Sequence, residues 1–246
     1  MKYTDSHIHL QDYEKDFATE IIKKAINIGF KKFVCVGTSQ KDWQTVADIT
    51  LENPHFIVPA FGLHPWKVAS VSPDWQKELE KYLTSFPNAL IGEIGLDKLK
   101  PDIELQKQYF SDQLAIAKKY NRPAVIHAVK AFSFFADFWD KLPEKFMFHS
   151  FNSPLEQLKE IIKRGAYISF NQSILKNSDF INIIKATPND KILLESDGPY
   201  QPLNKGDLST PLYIPELLAK IATIKGCVQE ELAEIIYNNS QEFINV

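Results

Sequence analysis

The residues best suited to chemistry in this chain begin with His7-Ile8-His9, two histidines separated by one residue. They fall in a run typical of a first strand, Tyr3 to Leu10, where side chains two residues apart point the same way. Two imidazoles on one face suit a metal ion, although paired neutral histidines also serve in ordinary polar clusters. The pair alone leaves both interpretations open.

Five further polar residues each follow a short apolar run that we predict to be a strand, and they are His64, Glu93, His127, His149 and Asp197. Imidazole nitrogens and carboxylate oxygens suit zinc, manganese, cobalt or magnesium. Without His64 the set still holds six candidate ligands, more than one four-coordinate ion with an open position needs. Two divalent ions sharing a carboxylate account for all six, and such a pair of ions favours hydrolysis.

Eight short apolar runs supply the strands that must position these residues. After the first run they span Lys32 to Val36, Phe56 to Phe61, Ala89 to Ile94, Ala124 to Ile126, Phe146 to Phe148, Ala166 to Phe170 and Lys191 to Leu194. Helical periodicity separates them, and the runs are apolar almost continuously, as strands of parallel sheets are. The pattern predicts a (β/α)8 TIM barrel, with an open doubly wound sheet as the alternative. In a barrel the carboxyl ends of the strands converge on one face.

The bulk properties agree with a barrel and exclude several classes of protein. The 246 residues are 44% hydrophobic and 24% charged, and no Gly-rich or Pro-rich linker divides them, so we expect a single domain over 1–246. No apolar run approaches a membrane span, no apolar signal region opens the chain, and Cys35 and Cys227 match no disulfide framework. We therefore expect a cytoplasmic protein without a membrane or obligate protein partner.

A net charge of −3 with scattered lysines argues against tight binding of duplex nucleic acid. It leaves room for a phosphodiester substrate, because bound divalent ions would add positive charge that a residue count misses.

Six motifs in order resemble the TatD family of metal-dependent hydrolases. They are Asp5-Ser6-His7-Ile8-His9, Gly62-Leu63-His64-Pro65, Ile91-Gly92-Glu93-Ile94-Gly95-Leu96-Asp97, Pro123-Ala124-Val125-Ile126-His127, His149-Ser150-Phe151 and Leu194-Glu195-Ser196-Asp197-Gly198-Pro199-Tyr200. The spaced residues Gln106, Phe110 and Gln113, and the segment Asn239 to Phe243, are also similar to family patterns. The resemblance covers nearly the whole chain.

The resemblance implies a barrel of the amidohydrolase type and a deoxyribonuclease-like phosphodiesterase activity that trims 3′ ends. His7 and His9 would hold one metal with Asp197, while His127 and His149 would hold the second. Glu93 would bridge the two ions, and Asp197 would also accept the proton of the attacking water. His64 would lie nearby and orient a phosphate oxygen or a ligand.

This chain departs from the family pattern where the family carries cations. Val129 occupies the arginine position after the fifth strand, and Leu208-Ser209-Thr210-Pro211 replaces a basic Arg-Asn-x-Pro pattern. Ser150 replaces a cysteine after His149. Lys130 is a partial substitute, because lysine lacks the planar fork with which arginine binds phosphate. We expect weaker affinity for nucleic acid than arginine-bearing relatives have, or a smaller substrate.

Other polar and aromatic residues near the motifs have secondary expectations. Asp5 and Asp97 are predicted to orient histidines or to hold the rim of the barrel, and Tyr200 and Trp66 to stack on bases. Glu195 is expected to be a buried acid near the site, without an assigned role.

Three functions remain open from the sequence. DNA or another phosphodiester is the expected substrate. A related hydrolase of a small phosphoester, amide or lactone is the alternative. A third possibility, from another class, is a metal-binding protein with an interaction role and little activity.

Overall fold

The computed structural model describes residues 1–176 and 180–245, and the side chains of residues 175 and 176 are left out of that description. It contains eight strands in sequence order. They are β1 Tyr3–Ile8, β2 Phe30–Val36, β3 Ile57–Phe61, β4 Leu90–Asp97, β5 Ala124–Val129, β6 Phe146–Phe148, β7 Tyr167–Phe170 and β8 Ile192–Leu194. All lie in one parallel sheet whose spatial order follows the chain from β1 to β8. The prediction of a (β/α)8 barrel over an open doubly wound sheet is confirmed.

Helices alternate with these strands on the outside. They are α1 Lys15–Asn27, α2 Gln40–Glu52, α3 Trp75–Ser85, α4 Ile103–Lys119, α5 Leu155–Lys163, α6 Phe180–Ala186, α7 Ile214–Lys225 and α8 Gln229–Ile244. Among the described residues, no helix is long and apolar enough to cross a membrane.

The connection from β5 to β6 departs from the predicted alternation. It contains two 3-10 turns, Phe132–Asp137 and Trp139–Lys141, instead of an α-helix. Phe132 and Phe135 both pack against Phe148, with ring centroids 5.2 Å away in each case. A spacing of three residues places both rings on one side of a 3-10 turn, so aromatic packing favours this tighter geometry over an α-helix.

Strand alternation sorts the core into an outer and an inner layer. Phe33 and Cys35 face the helices, whereas Val34 and Val36 belong to a separate inner cluster. The other strand residues of that cluster are Val58, Ala60, Leu90, Val125, Met147, Tyr167 and Leu193. Because successive side chains alternate between faces, His127 follows Val125 and His149 follows Met147 on the inner side. The packed interior therefore supports the polar site at the strand ends.

The seam between β8 and β1 is closed by side chains and single backbone contacts. One oxygen of Asp5 accepts the backbone N–H of Ser196 at 3.0 Å, and the other accepts its hydroxyl at 2.6 Å. The N–H of Asp197 donates to the carbonyl of His7 at 3.0 Å. Burial raises the pKa of Asp5 to about 8, although the hydrogen bonds from Ser196 act in the opposite direction. The barrel thus closes at the place where the first and last candidate ligands meet.

Candidate metal centre

The predicted metal ligands gather in one buried cluster at the carboxyl ends of the strands. All six, together with His64, are at most 9% exposed. Three overlapping groups within this cluster have ligand atoms close enough to hold a metal ion. The first is His7, His9 and Asp197, the second is His7, Glu93 and His149, and the third is His64, Glu93 and His127. A cluster whose members lie on or after six different strands could not be seen in any single motif.

The first half of the cluster centres on the histidine pair of β1. The Nε2 atoms of His7 and His9 face each other at 3.0 Å. Each lies 3.5 Å from Oε2 of Glu93 and 3.6 Å from Oδ1 of Asp197. β1 ends at Ile8 and not at Leu10 as predicted, so His9 lies just after the strand. The rings of His7 and His9 still converge.

The second half centres on the other oxygen of Glu93. Its Oε1 lies 2.9 Å from Nδ1 of His127 and 2.8 Å from Nε2 of His149. Those two nitrogens are themselves 3.1 Å apart. Glu93 therefore directs one carboxylate oxygen to each half, which is the arrangement expected of a bridging carboxylate.

A carbonyl and a carboxylate lie behind two of the rings, on the side away from the cluster. Nδ1 of His9 lies 2.7 Å from the carbonyl of Val36, so in the neutral ring that nitrogen carries the proton and Nε2 presents a lone pair. Oε1 of Glu195 lies 3.7 Å from Nδ1 of His149 and also accepts the backbone N–H of Ser150 at 2.6 Å. Carboxylates and carbonyls behind imidazoles are typical of metal ligands. Glu195, to which the sequence assigned no role, therefore lies behind the candidate ligand His149.

Asp97 stands in the same relation to His127. Its Oδ2 lies 3.8 Å from Nε2 of His127 and accepts the indole N–H of Trp66 at 2.6 Å. Gln106 of α4 holds the Asp97 backbone, accepting its N–H at 2.8 Å and donating to its carbonyl at 3.1 Å. The expectation that Asp97 lies behind a histidine therefore agrees with its position.

These residues fit divalent metal. Nitrogen lone pairs that face one another at about 3 Å repel unless a cation or proton lies between them. Burial disfavours charged carboxylates, but the imidazoles around Glu93 and Asp197 hold the pKa of each below its ordinary value. Both carboxylates are therefore ionised and ready to compensate a cation.

His64 differs from the other histidines of the cluster. Its Nδ1 accepts the backbone N–H of Trp66 at 3.2 Å, so a neutral ring carries its proton on Nε2, which lies 3.1 Å from Oε1 of Glu93. Burial lowers the pKa of His64 to about 4, despite the nearby Glu93 carboxylate. A neutral donor suits the predicted role of orienting a substrate oxygen better than that of a ligand.

A glutamine missed as a functional residue positions the His64 loop. Gln113 of α4 accepts the N–H of Leu63 at 2.6 Å and donates to its carbonyl at 3.1 Å. Its side-chain amide thus forms the two hydrogen bonds with Leu63 that the backbone of a neighbouring strand would form. The spaced pattern Gln106, Phe110 and Gln113 was the available signal, because two amides on one helix face must find partners when buried.

The two other predicted substrate contacts differ in position. Tyr200 is half exposed, donates its hydroxyl to Asp12 at 2.9 Å, and sets its ring edgewise against His9 with centroids 5.5 Å apart. Lys130 is exposed beyond β5 and makes no ion pair within the described ranges. Tyr200 therefore borders the cluster directly, whereas Lys130 lies on the rim.

Comparisons with known proteins place the chain in one family of hydrolases. A family model described as TatD related DNase matches residues 4–245. The uncharacterized metal-dependent hydrolase YabD of Bacillus subtilis is 28% identical, covering 99% of this chain and 98% of its own length. The 3′-5′ ssDNA/RNA exonuclease TatD of Erwinia tasmaniensis is 23% identical, covering 92% of this chain and 93% of its own length. The crystal structure of YJJV, a TatD homolog from Escherichia coli, shares 26% identity with a TM-score of 0.91, covering 99% of this chain and 98% of that one.

Proposed function

We propose that this chain, which belongs to the family of TatD-related DNases, is a phosphodiesterase that uses two divalent metal ions to trim the 3′ ends of DNA. The arrangement of Glu93 carries the proposal, because its two oxygens face two separate sets of histidines. His7, His9 and Asp197 would hold one ion and His127 and His149 the other. Zinc, magnesium, manganese and cobalt all suit this donor set.

The bound ions would lower the pKa of water and offset the negative charge that develops on the phosphate. Asp197 would accept the proton of the attacking water, since its carboxylate is ionised and lies beside the histidine pair. The neutral ring of His64 would donate a hydrogen bond from its Nε2–H to a phosphate oxygen, without transfer of the proton. The buried position of both groups limits competing contacts with solvent.

The exonuclease name of the Erwinia tasmaniensis relative supports a single-stranded nucleic acid substrate. One observation favours a second candidate, the hydrolysis of a small phosphoester, amide or lactone. Val129 is an apolar, partly buried residue at the position where the family pattern has arginine. A substrate with fewer phosphates needs fewer cations.

A substrate screen with metal-loaded protein tests the proposal. Single-stranded DNA and RNA labelled at the 3′ end would be compared with a small phosphodiester and a lactone, using wild type, Glu93→Gln and Asp197→Asn. We expect label release from DNA, lowered about 10²- to 10⁴-fold by Asp197→Asn through loss of the general base. Turnover of the small substrates alone supports the second candidate. Unchanged activity in both variants contradicts the site assignment.

A further inference from the structure

Two lysines lie side by side where β4 and β5 end. Asp97 pairs with Val129 in the register of these strands, and the N–H of Lys98 donates to the carbonyl of Val129 at 2.9 Å. Lys98 and Lys130 are the next residues along each chain segment, and both are exposed. The backbone therefore places the two lysines side by side at the rim of the barrel, and the ammonium of Lys98 lies 5.9 Å from the ring centroid of Phe134.

A third lysine is held over an exposed aromatic ring on the same side. The ammonium of Lys100 lies 4.1 Å from the ring centroid of Trp66, within the range of a cation–π contact. Trp66 is itself anchored, because its indole N–H donates to Asp97 and its backbone N–H to His64. Lys100 thus lies beside the half of the metal centre that contains His64.

Little negative charge opposes these three lysines, which we call the lysine rim. None of Lys98, Lys100 and Lys130 forms an ion pair with a residue in the described parts of the chain. Of the nearby acids, Asp97 is buried and bonded to Trp66, and Glu104 pairs with Lys107 at 2.8 Å. Asp102 is the remaining acid of this stretch. Neighbouring positive charges repel one another, and a bound anion offsets that repulsion.

We propose that the lysine rim binds the backbone phosphates of a single-stranded oligonucleotide next to the bond being cut. The inference rests on the proposed nuclease function and names its substrate class as a polyanion, not a small ester. The rim supplies positive charge that is missing because Val129 stands where the family pattern has an arginine. Lysine ammonium groups are point charges and lack the planar geometry of arginine. Binding through such charges is independent of base sequence and sensitive to salt.

The salt dependence of binding tests the rim without turnover. A fluorescent dodecameric oligothymidylate would be titrated by anisotropy in EDTA, between about 50 and 200 mM salt. Each of Lys98→Gln, Lys100→Gln and Lys130→Gln should reduce the slope of log K against log salt by about 0.7, the value for one phosphate on a single strand. Lys100→Arg should keep the wild-type slope. Lys159→Gln, an exposed lysine of α5, is the matched control and should also keep it.

Separate outcomes distinguish this inference from the proposed function. A triple Lys98→Gln, Lys100→Gln and Lys130→Gln variant should keep the wild-type circular dichroism spectrum and still bind divalent metal, because none of the three side chains is a candidate ligand, so a reduced slope reports the rim and not misfolding. A wild-type slope in the triple variant, or no binding of the oligonucleotide by wild type, overturns the rim. If the wild type binds with the expected slope yet hydrolyses no phosphodiester, the proposed function fails and the rim stands.

Discussion

The carboxylate of Glu195 lies behind the imidazole of His149, with its Oε1 3.7 Å from Nδ1 of the ring. The contact raises the basicity of the opposite nitrogen, which faces Glu93. Burial disfavours the protonated ring, but Glu93 and Glu195 together raise the pKa of His149 well above its ordinary value. Glu195 is not a candidate ligand itself, yet it raises the basicity of one, His149.

Replacing Glu195 by glutamine should therefore weaken metal binding. The amide oxygen can still accept the N–H of Ser150, so the loop should keep its position while the charge is lost. We expect affinity to fall about 10- to 100-fold, as when other groups behind metal ligands are changed. Competition with a chromophoric chelator measures it. Glu234→Gln, an exposed acid of α8, is the control, and equal affinity in both variants would contradict the role.

The seam between β8 and β1 should depend on Asp5. In Asp5→Ala the buried N–H groups of Ser196 and His7 lose their acceptor. Each buried donor without a partner costs about 1–3 kcal/mol. Asp5→Asn keeps that oxygen and can donate to the Ser196 hydroxyl, so its loss should be much smaller. Urea unfolding of metal-free protein gives both values, and similar stability for the two variants would show that the seam does not need an acceptor.

Removal of metal should lower the thermal stability of the protein. A ligand at a thousand times its Kd stabilises the native state by about 4 kcal/mol. We therefore expect a lower Tm after chelation and recovery when a divalent ion is added back. The same metal titration of Asp197→Asn should raise the Tm less, because the group formed by His7, His9 and residue 197 then lacks its carboxylate charge. A Tm that does not respond to metal in wild type would argue against a structural contribution of the ions.

The two cysteines should differ in reactivity and in their response to pH. Burial raises the pKa of the Cys35 thiol to about 12, whereas Cys227 is partly exposed. In the unfolded chain Cys35 ionises near 8.5, so its burial destabilises the folded state progressively as pH rises from there toward 12.

Thiol titration at pH 8 should modify Cys227 quickly and Cys35 only after unfolding. A Cys227→Ser variant isolates the buried thiol. Its rapid reaction under native conditions would show that Cys35 is accessible.

Much of the fold followed from local signals. The apolar runs before His127 and His149 are short and unbroken, so parallel strands and convergent carboxyl ends could be predicted from them. The boundaries were less accurate, because β4 extends to Asp97 and β5 to Val129, beyond the ends that hydrophobicity marked. Hydrogen bonding to a neighbouring strand continues there after the apolar pattern stops.

The parts that could not be predicted depend on partners far along the chain. Gln113 meets Leu63 across 50 residues, and Glu195 meets His149 through the fold of β6 and β8. The orientation of each imidazole is likewise set by what lies behind it, such as Val36 behind His9. A local pattern identifies the residue type, whereas a distant contact decides which atom of it is used.

The seam also has a consequence for the order in which the molecule is made. Asp5 and Ser196 meet across 191 residues, and the histidine pair and Asp197 lie beside them. A ribosome adds Asp197 only 188 residues after His9. The group formed by His7, His9 and Asp197 therefore cannot assemble until that stretch has been made. An ion bound early by the histidines alone would remain exchangeable until the last strand arrives.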